Sequence, residues 1–122
     1  MSDPGTPRVL CDVNTVSGSG DQAGGALWRL DAEQRHLDAN VIALGPNRRI
    51  DTHTGPDLDV LMLVLSGAGE VEGADGAITA AAGSLIWLPR RSQRSIVAGP
   101  DGLRYLTVHP RRPGLSIGTS PG

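Results

Sequence analysis

Three side chains that can gain or lose a proton, His53, Tyr105 and His109, are the first candidates for chemistry in this chain. His53 follows residues 48–51 (RRID) and could act as a ligand or an acid/base group, or could simply lie exposed in a loop. Tyr105 and His109 share one side of a segment with strand composition, because side chains alternate along a strand. If that side faces inward, they form the polar pair of a cavity; if it faces outward, they lie on a surface that a second subunit can cover.

A group of arginines suggests a different chemistry, the binding of an anion. Arg94, with Arg90 and Arg91 nearby, could hold the carboxylate or phosphate of a ligand, because the planar guanidinium donates paired hydrogen bonds to such groups. In the alternative, Arg94 braces the fold and needs an acceptor within the protein, because a buried polar group without a partner is costly.

The composition excludes several classes of function. All 11 basic residues are arginine, so the chain offers no lysine for a Schiff base or a phosphate-binding loop. Its one cysteine, Cys11, cannot form an internal disulfide or a cysteine-rich zinc site, and we expect it to be a small packing residue. The serines are not accompanied by a histidine and an acid in the pattern of a catalytic triad. A net charge of -2 and only two Trp and one Tyr argue against nucleic acid as a partner.

No feature of the sequence predicts export or membrane insertion. The N-terminus lacks a basic segment followed by an apolar run, and the longest apolar run, 60–65, is too short to cross a bilayer. We therefore expect a cytoplasmic protein without a membrane partner.

Short apolar segments that alternate with turn residues predict an all-β sandwich or barrel. The predicted strands are 26–30, 37–44, 60–65, 70–72, 77–82, 84–88, 95–98 and 103–109. The pair Asp75-Gly76 indicates a hairpin, and residues 31–37 could form at most a turn or two of helix. We expect a flexible arm at 1–24, in which 9–11 could add an edge strand, a barrel domain at 25–110 and a flexible tail at 111–122.

The run 60–65 is apolar on both faces of its strand, so both faces must be covered. One face fills the barrel. For the other we favour a homodimer, with coverage by the N-terminal arm as the alternative.

Two segments resemble the motifs of the cupin superfamily, which are small double-stranded β-helix (jelly-roll) barrels. The first motif has the form G-x5-H-x-H-x3,4-E-x6-G, and residues 45–67 read GPNRRIDTHTGPDLDVLMLVLSG. The second has the form G-x5-P-x-G-x2-H-x3-N, and the chain from Gly83 reads GSLIWLPRRSQRSI. The spacing of Gly83 and Pro89 fits, and His53 stands fourteen residues before Gly67, as the leading histidine of the family does. The resemblance covers about residues 26–110 and implies a cupin barrel.

The resemblance also implies that most of the family's metal ligands are replaced. With Gly67 as the anchor, the remaining ligand positions of the two motifs hold Gly55, Val60 (or Asp59 with the shorter spacing), Arg94 and Ala98. An alternative register anchored on Gly45 gives Asp51, His53 and Asp57. An inward Arg94 stays charged and donates only, which is unfavourable beside a dication.

We therefore expect no metal cofactor. If a divalent transition metal binds, the expected ligands are His53, Asp59 and His109, with Asp57 as the other candidate carboxylate. The fold also makes Asp57 or Asp59 the nearest acceptor for an inward Arg94.

These observations favour a cupin-like protein that binds a small organic ligand and acts as a sensor, carrier or regulatory module. Arg94 would suit an anionic ligand. The alternative is a cupin-type enzyme (isomerase, cyclase or oxygenase) with a reduced metal site, or with His53 and Tyr105 as acid/base groups. A third hypothesis is a dimerisation module whose barrel is filled by its own side chains. The residues expected at the ligand site are His53, Asp57, Asp59, Met62, Trp87, Arg94, Tyr105 and His109. Met62 and Trp87 could instead belong to the core.

Overall fold

Seven antiparallel strands make up the computed structural model of this chain, which describes residues 5–16 and 25–111. The strands are β1 (Gly25–Arg29), β2 (Leu37–Leu44), β3 (Arg49–Thr54), β4 (Val60–Gly73), β5 (Gly76–Ala81), β6 (Leu85–Leu88) and β7 (Gln93–Pro110). The described residues contain no helix with the length and apolar character needed to span a bilayer.

The two longest strands, β4 and β7, belong to two sheets at once. Residues 61–67 of β4 pair with 103–108 of β7, and residues 69–73 pair with 94–98. The first of these ladders is extended by β2 and β1 on one side and by β6 on the other. The second is extended by β3 and β5. The two sheets fold over each other, which gives the all-β, jelly-roll barrel that the sequence predicts.

The inner faces of the two sheets meet in one apolar core. In β4, Val60, Met62 and Val64 are at most 5% exposed, whereas Leu61 between them is 42% exposed. Val71 and Ile96 contribute from the second sheet to the same cluster. The alternation shows which side of each strand faces the interior.

An ion-pair cluster ties three strands together on the second sheet. Glu72 Oε1 accepts from Ser95 Oγ at 2.8 Å and from Arg49 Nη2 at 3.2 Å. The hydrogen bond from Ser95 is the main reason that the pKa of Glu72 lies below its usual range; burial opposes it, and the charge and hydrogen bond of Arg49 add to the lowering. The cluster links β3, β7 and β4 across their ladder.

Most predicted strands are present, but several are joined or displaced. The predicted strand at 37–44 coincides with β2, whereas the segments at 60–65 and 70–72 are one strand, as are 95–98 and 103–109. β3 was not predicted, because residues 49–54 carry charged and polar side chains that suggest a loop. Residues 31–36 form a turn without helix, and 9–11 form no strand. Residues 1–4, 17–24 and 112–122 of the predicted arm and tail lie outside the described residues, and the domain limits stay a prediction.

The outer face of the first sheet is apolar, as the two-sided run at 60–65 predicts. The strand pairing aligns Trp87 with Leu61 and Val108 in one row, and Leu85 with Leu63 and Leu106 in the next. We call these six residues the apolar outer face. Leu85 and Trp87 are 65% and 56% exposed. The N-terminal segment reaches the same sheet, where Arg104 Nη2 donates to the carbonyl oxygen of Val16.

Gly67 is required where β4 passes from one sheet to the other. It has a φ of 77°, and a Cβ at this position would contact the backbone carbonyl of Gly102, with the carbonyl carbon only 2.9 Å away. Gly83 has a similar φ of 91°, but its Cβ would meet nothing within 4 Å.

This matched pair makes a test of the crossing. We expect Gly67→Ala to lower the free energy of unfolding by about 3 kcal/mol or more, because it combines backbone strain with a clash against backbone. Gly83→Ala carries the strain alone and is expected to cost about 1–2 kcal/mol. Urea unfolding of both variants measures the difference; equal losses would show that the close approach at Gly67 has no energetic weight.

Candidate ligand-binding site at the barrel mouth

A cavity of about 360 Å³ opens between the tip of the β4–β5 hairpin and the loop that joins β6 to β7. We call it the mouth cavity; its lining consists of residues 71, 73–76, 78, 87–89 and 92–94. Much of the lining is apolar, with Val71 and Leu88 from the core and with Ile78 and Trp87 partly open to solvent. The volume lies near the lower end of the ~300–1,000 Å³ that is typical of small-molecule sites.

Arg94 brings a positive charge to this cavity, although it is only 7% exposed. Its Nη1 donates to Ser92 Oγ at 2.9 Å and to the carbonyl oxygen of Pro89 at 3.4 Å. Across residues 5–16 and 25–111, no carboxylate forms an ion pair with Arg94, and its Nε and Nη2 have no acceptor. Because every fully enclosed side-chain nitrogen or oxygen in this part of the chain has a partner, these two nitrogens must keep some surface accessible to solvent.

Gly55 makes the space in which the guanidinium lies. A Cβ added to Gly55 would contact Arg94 Nη1 and would lie 2.5 Å from Cζ and 2.8 Å from Nη2. Gly55 is itself buried, and its N–H donates to the carbonyl oxygen of Ser92 at 2.9 Å. The guanidinium of Arg94 can therefore occupy this position because residue 55 has no side chain.

Tyr105 faces the interior of the barrel, whereas its pairing with His109 in a cavity stays a prediction. It pairs with Val64 of the core and is 2% exposed. Burial raises the pKa of Tyr105 to about 12, although the charge of Arg94 acts in the opposite direction. Burial likewise lowers the pKa of Arg94, and Tyr105 opposes that change. The two side chains therefore share one electrostatic environment inside the barrel.

Neither Asp57 nor Asp59 pairs with Arg94, which corrects the expectation from the sequence. Asp57 Oδ1 lies 3.3 Å from Arg91 Nε, and Asp59 Oδ1 accepts from the backbone N–H of Arg90 at 3.0 Å. The reason is the local backbone: residues 55 and 56 hydrogen-bond to residues 92 and 91, which aligns the two loops side by side. Both carboxylates are exposed and brace the loops from outside.

The histidines lie away from the lining of the mouth cavity. His53 stands opposite Arg94 in the β3–β7 pairing, but it is exposed and its Nδ1 lies 2.9 Å from the carbonyl oxygen of Asp51. His109, at the end of β7, has its Nδ1 2.9 Å from the carbonyl oxygen of Pro110. Met62 is fully buried in the core, whereas Trp87 does line the cavity. Their roles as site residues stay predictions.

The side chains at the mouth do not fit a metal ion. Among the described residues, no group of three or more His, Cys, Asp or Glu side chains could hold one. Two positions that the resemblance assigns to ligands hold Gly55 and Arg94, and the guanidinium lies directly against that glycine. A fixed positive charge at this point repels a cation and attracts an anion.

Some parts of the cavity could not be found from the sequence. Ser92 and the hairpin tip at 73–76 line the cavity, but the sequence indicates only a turn at the tip and no role for the serine. The available signal was the joint departure of Gly55 and Arg94 from the motif pattern, because two replaced ligand positions on facing segments suggest a compensating pair.

Comparison with solved structures identifies the architecture. The Cnp3 cupin domain of Schizosaccharomyces pombe matches with a TM-score of 0.70 and 18% identity, over 91% of this chain and 74% of its own. A cupin-2 domain protein from Shewanella frigidimarina matches with a TM-score of 0.58 and 18% identity, over 72% of this chain and 79% of its own. This chain has the cupin fold.

The cupin fold confirms the resemblance stated from the two motifs. Another protein with a similar structure is the polyketide cyclase RemF from Streptomyces resistomycificus, with a TM-score of 0.61 and 22% identity, over 71% of this chain and 63% of its own. No protein-family model matches the chain, and no curated protein matches it in sequence. The similarity therefore lies in the fold, and such folds host many activities.

Tyr105 is the one tyrosine of the chain, so its titration can be observed directly. We expect the tyrosinate absorbance of the folded protein to reach half its change near pH 12, against about 10 in denaturant. Since burial favours the neutral phenol, the associated stability is present below about pH 10 and is lost as the pH rises towards 12. Tyr105→Phe should reduce that alkaline loss. A half-change near 10 in a protein that circular dichroism shows to be folded would contradict the burial.

Proposed function

We propose that this protein binds a small organic anion in the mouth cavity, with Arg94 as the group that holds the anion. The observation that carries the proposal is the buried Arg94, which lines the cavity, has no carboxylate partner among the described residues, and has two nitrogens without an acceptor there. A guanidinium presents its donors in a planar fork that matches a carboxylate or phosphate. The protein then acts as a sensor, a carrier or a regulatory module.

Energetics support a binding role for Arg94 over a bracing role. Burying a charge is costly unless an opposite charge and hydrogen bonds compensate for it. Arg94 has two hydrogen bonds, to Ser92 and to the carbonyl oxygen of Pro89, and no carboxylate of the described residues lies within ion-pair distance of it. A bound anion supplies the missing opposite charge. The unpaired charge of Arg94 in the ligand-free protein therefore favours anion binding.

An enzyme of the cupin kind is the second candidate, and the inward Tyr105 is the observation that favours it. Its phenol stays protonated well above neutral pH and lies close enough to Arg94 for their charges to interact. A protonated phenol could donate a proton or a hydrogen bond to a bound anion. The polyketide cyclase RemF shows that a protein of similar structure can be an enzyme.

The decisive variant is Arg94→Met, which keeps an unbranched side chain in place of the aliphatic stem and removes the charge. We expect the melting temperature of the ligand-free protein to rise by about 4 °C, because an uncompensated charge leaves the interior. We also expect the rise in melting temperature that organic anions produce in the parent protein to disappear. A fall in the melting temperature, or an anion effect that survives, would contradict the assignment.

Two further variants serve as controls in the same thermal-shift measurements. Arg91→Met removes an exposed arginine that pairs with Asp57, so both stability and anion binding should be nearly unchanged. Gly55→Ala pushes the guanidinium aside and should weaken anion binding while the barrel stays folded, because the end of a long side chain can move. In the Arg94→Met background, Gly55→Ala should have no further effect on binding.

We also propose that the protein is a cytoplasmic homodimer that buries the apolar outer face. Its two apolar rows are contiguous over three strands, and a second copy offers the same apolar surface about a two-fold axis. Light scattering should give twice the mass of the chain, and Leu85→Glu should give the monomer mass. A monomer at high concentration in the parent protein would contradict the proposal.

A further inference from the structure

We infer that the mouth cavity selects singly charged carboxylates with an apolar body, and that Asp75 excludes doubly charged anions such as phosphate monoesters. This inference rests on the proposed function, since it requires that Arg94 hold an anion. It goes further because it separates two anion classes that a guanidinium alone binds equally well.

The lining of the mouth cavity contains a single cation among the described residues. Arg94 is that cation, and Asp75 is the one described carboxylate in the lining. Arg91 pairs with Asp57, and neither Arg90 nor Arg91 belongs to the lining. A monoanion can therefore pair with Arg94, whereas the second charge of a dianion finds no further described cation in the lining and is repelled by Asp75.

Strand pairing places Asp75 at the same end of the barrel as Arg94. Gly73 stands opposite Arg94 in the β4–β7 ladder, and Gly73 also pairs with Gly76 to close a turn whose two residues are Ala74 and Asp75. Asp75 thus lies two positions beyond the partner of Arg94, and it lines the same cavity. Asp75 is exposed and no described cation forms an ion pair with it, so no described ion pair neutralises its charge at the cavity.

The remaining lining favours an apolar ligand body. Val71, Ile78 and Leu88 present aliphatic side chains, and Trp87 adds an aromatic residue at the edge. Ile78 is 51% exposed, so an apolar ligand gains by removing this surface from water. A small carboxylate without such a body, for example acetate, can pair with Arg94 but cannot make the apolar contact with the lining.

Titration calorimetry with simple probes tests the inference on the full chain at pH 8 and constant ionic strength. The probes are benzoate, phenyl phosphate, acetate and benzyl alcohol. At this pH the phosphate ester carries close to two negative charges. We expect benzoate to bind at least about tenfold more tightly than each of the other three.

The variant Asp75→Asn isolates the role of the carboxylate. It preserves the fold, because Asn suits a turn position as well as Asp does and Gly76, which has the positive φ of this turn, is unchanged. Removing one charge acts on a dianion about twice as strongly as on a monoanion, so we expect about a fourfold gain for phenyl phosphate and about twofold for benzoate. Asp101→Asn makes the same change in net charge. Asp101 does not line the mouth cavity, so this control should change the affinity for neither phenyl phosphate nor benzoate.

The outcomes separate this inference from the proposed function. Phenyl phosphate that binds as tightly as benzoate, with both lost in Arg94→Met, overturns the selectivity and leaves the proposed function in place. An Asp75→Asn effect equal for both probes also overturns the role of Asp75. If none of the probes binds, or if binding is independent of Arg94, both proposals fail.

Discussion

β4 and β7 hydrogen-bond to each other through both sheets, and every other strand is attached to one of these two or, for β1, to a neighbour of β7. Because the two strands cross from one sheet to the other, the distance between the sheets is set by backbone geometry at the crossing. Gly67 and Gly102 approach each other there without side chains. The interior faces of both sheets can then form a single core, and the open end of that core is the mouth cavity.

A guanidinium at the mouth gives this barrel a chemistry opposite to that of a metal site. The position holds a permanent positive charge that donates hydrogen bonds, instead of ligands that accept a cation. Arg94 can lie there because Gly55 leaves room and because Ser92 and Pro89 satisfy one of its nitrogens. Tyr105 adds a neutral hydroxyl nearby. The polar groups of the interior therefore include hydrogen-bond donors that suit a ligand with acceptor atoms.

The fold could be predicted from the sequence because strand alternation and turn residues report directly on backbone conformation. The run 60–65 alternates as expected, and β2 has its predicted limits. The strand β3 could not be predicted, because its exposed, polar residues show no alternation of apolar and polar side chains. Its pairing with β7 depends on the tertiary structure. Of the residues predicted for a ligand site, Arg94 and Trp87 line the mouth cavity, but the partners of Asp57 and Asp59 depend on how two loops lie side by side.

The close contact between Gly55 and Arg94 also restricts the routes by which such a chain can change over generations. Any side chain at 55 meets the guanidinium, so an imidazole that enters at 55 while Arg94 is present must displace the end of that arginine. The intermediate with Gly55 and without Arg94 has neither the guanidinium nor an imidazole at this point. Either order of replacement therefore passes through a chain in which one of the two residues has lost its present neighbour.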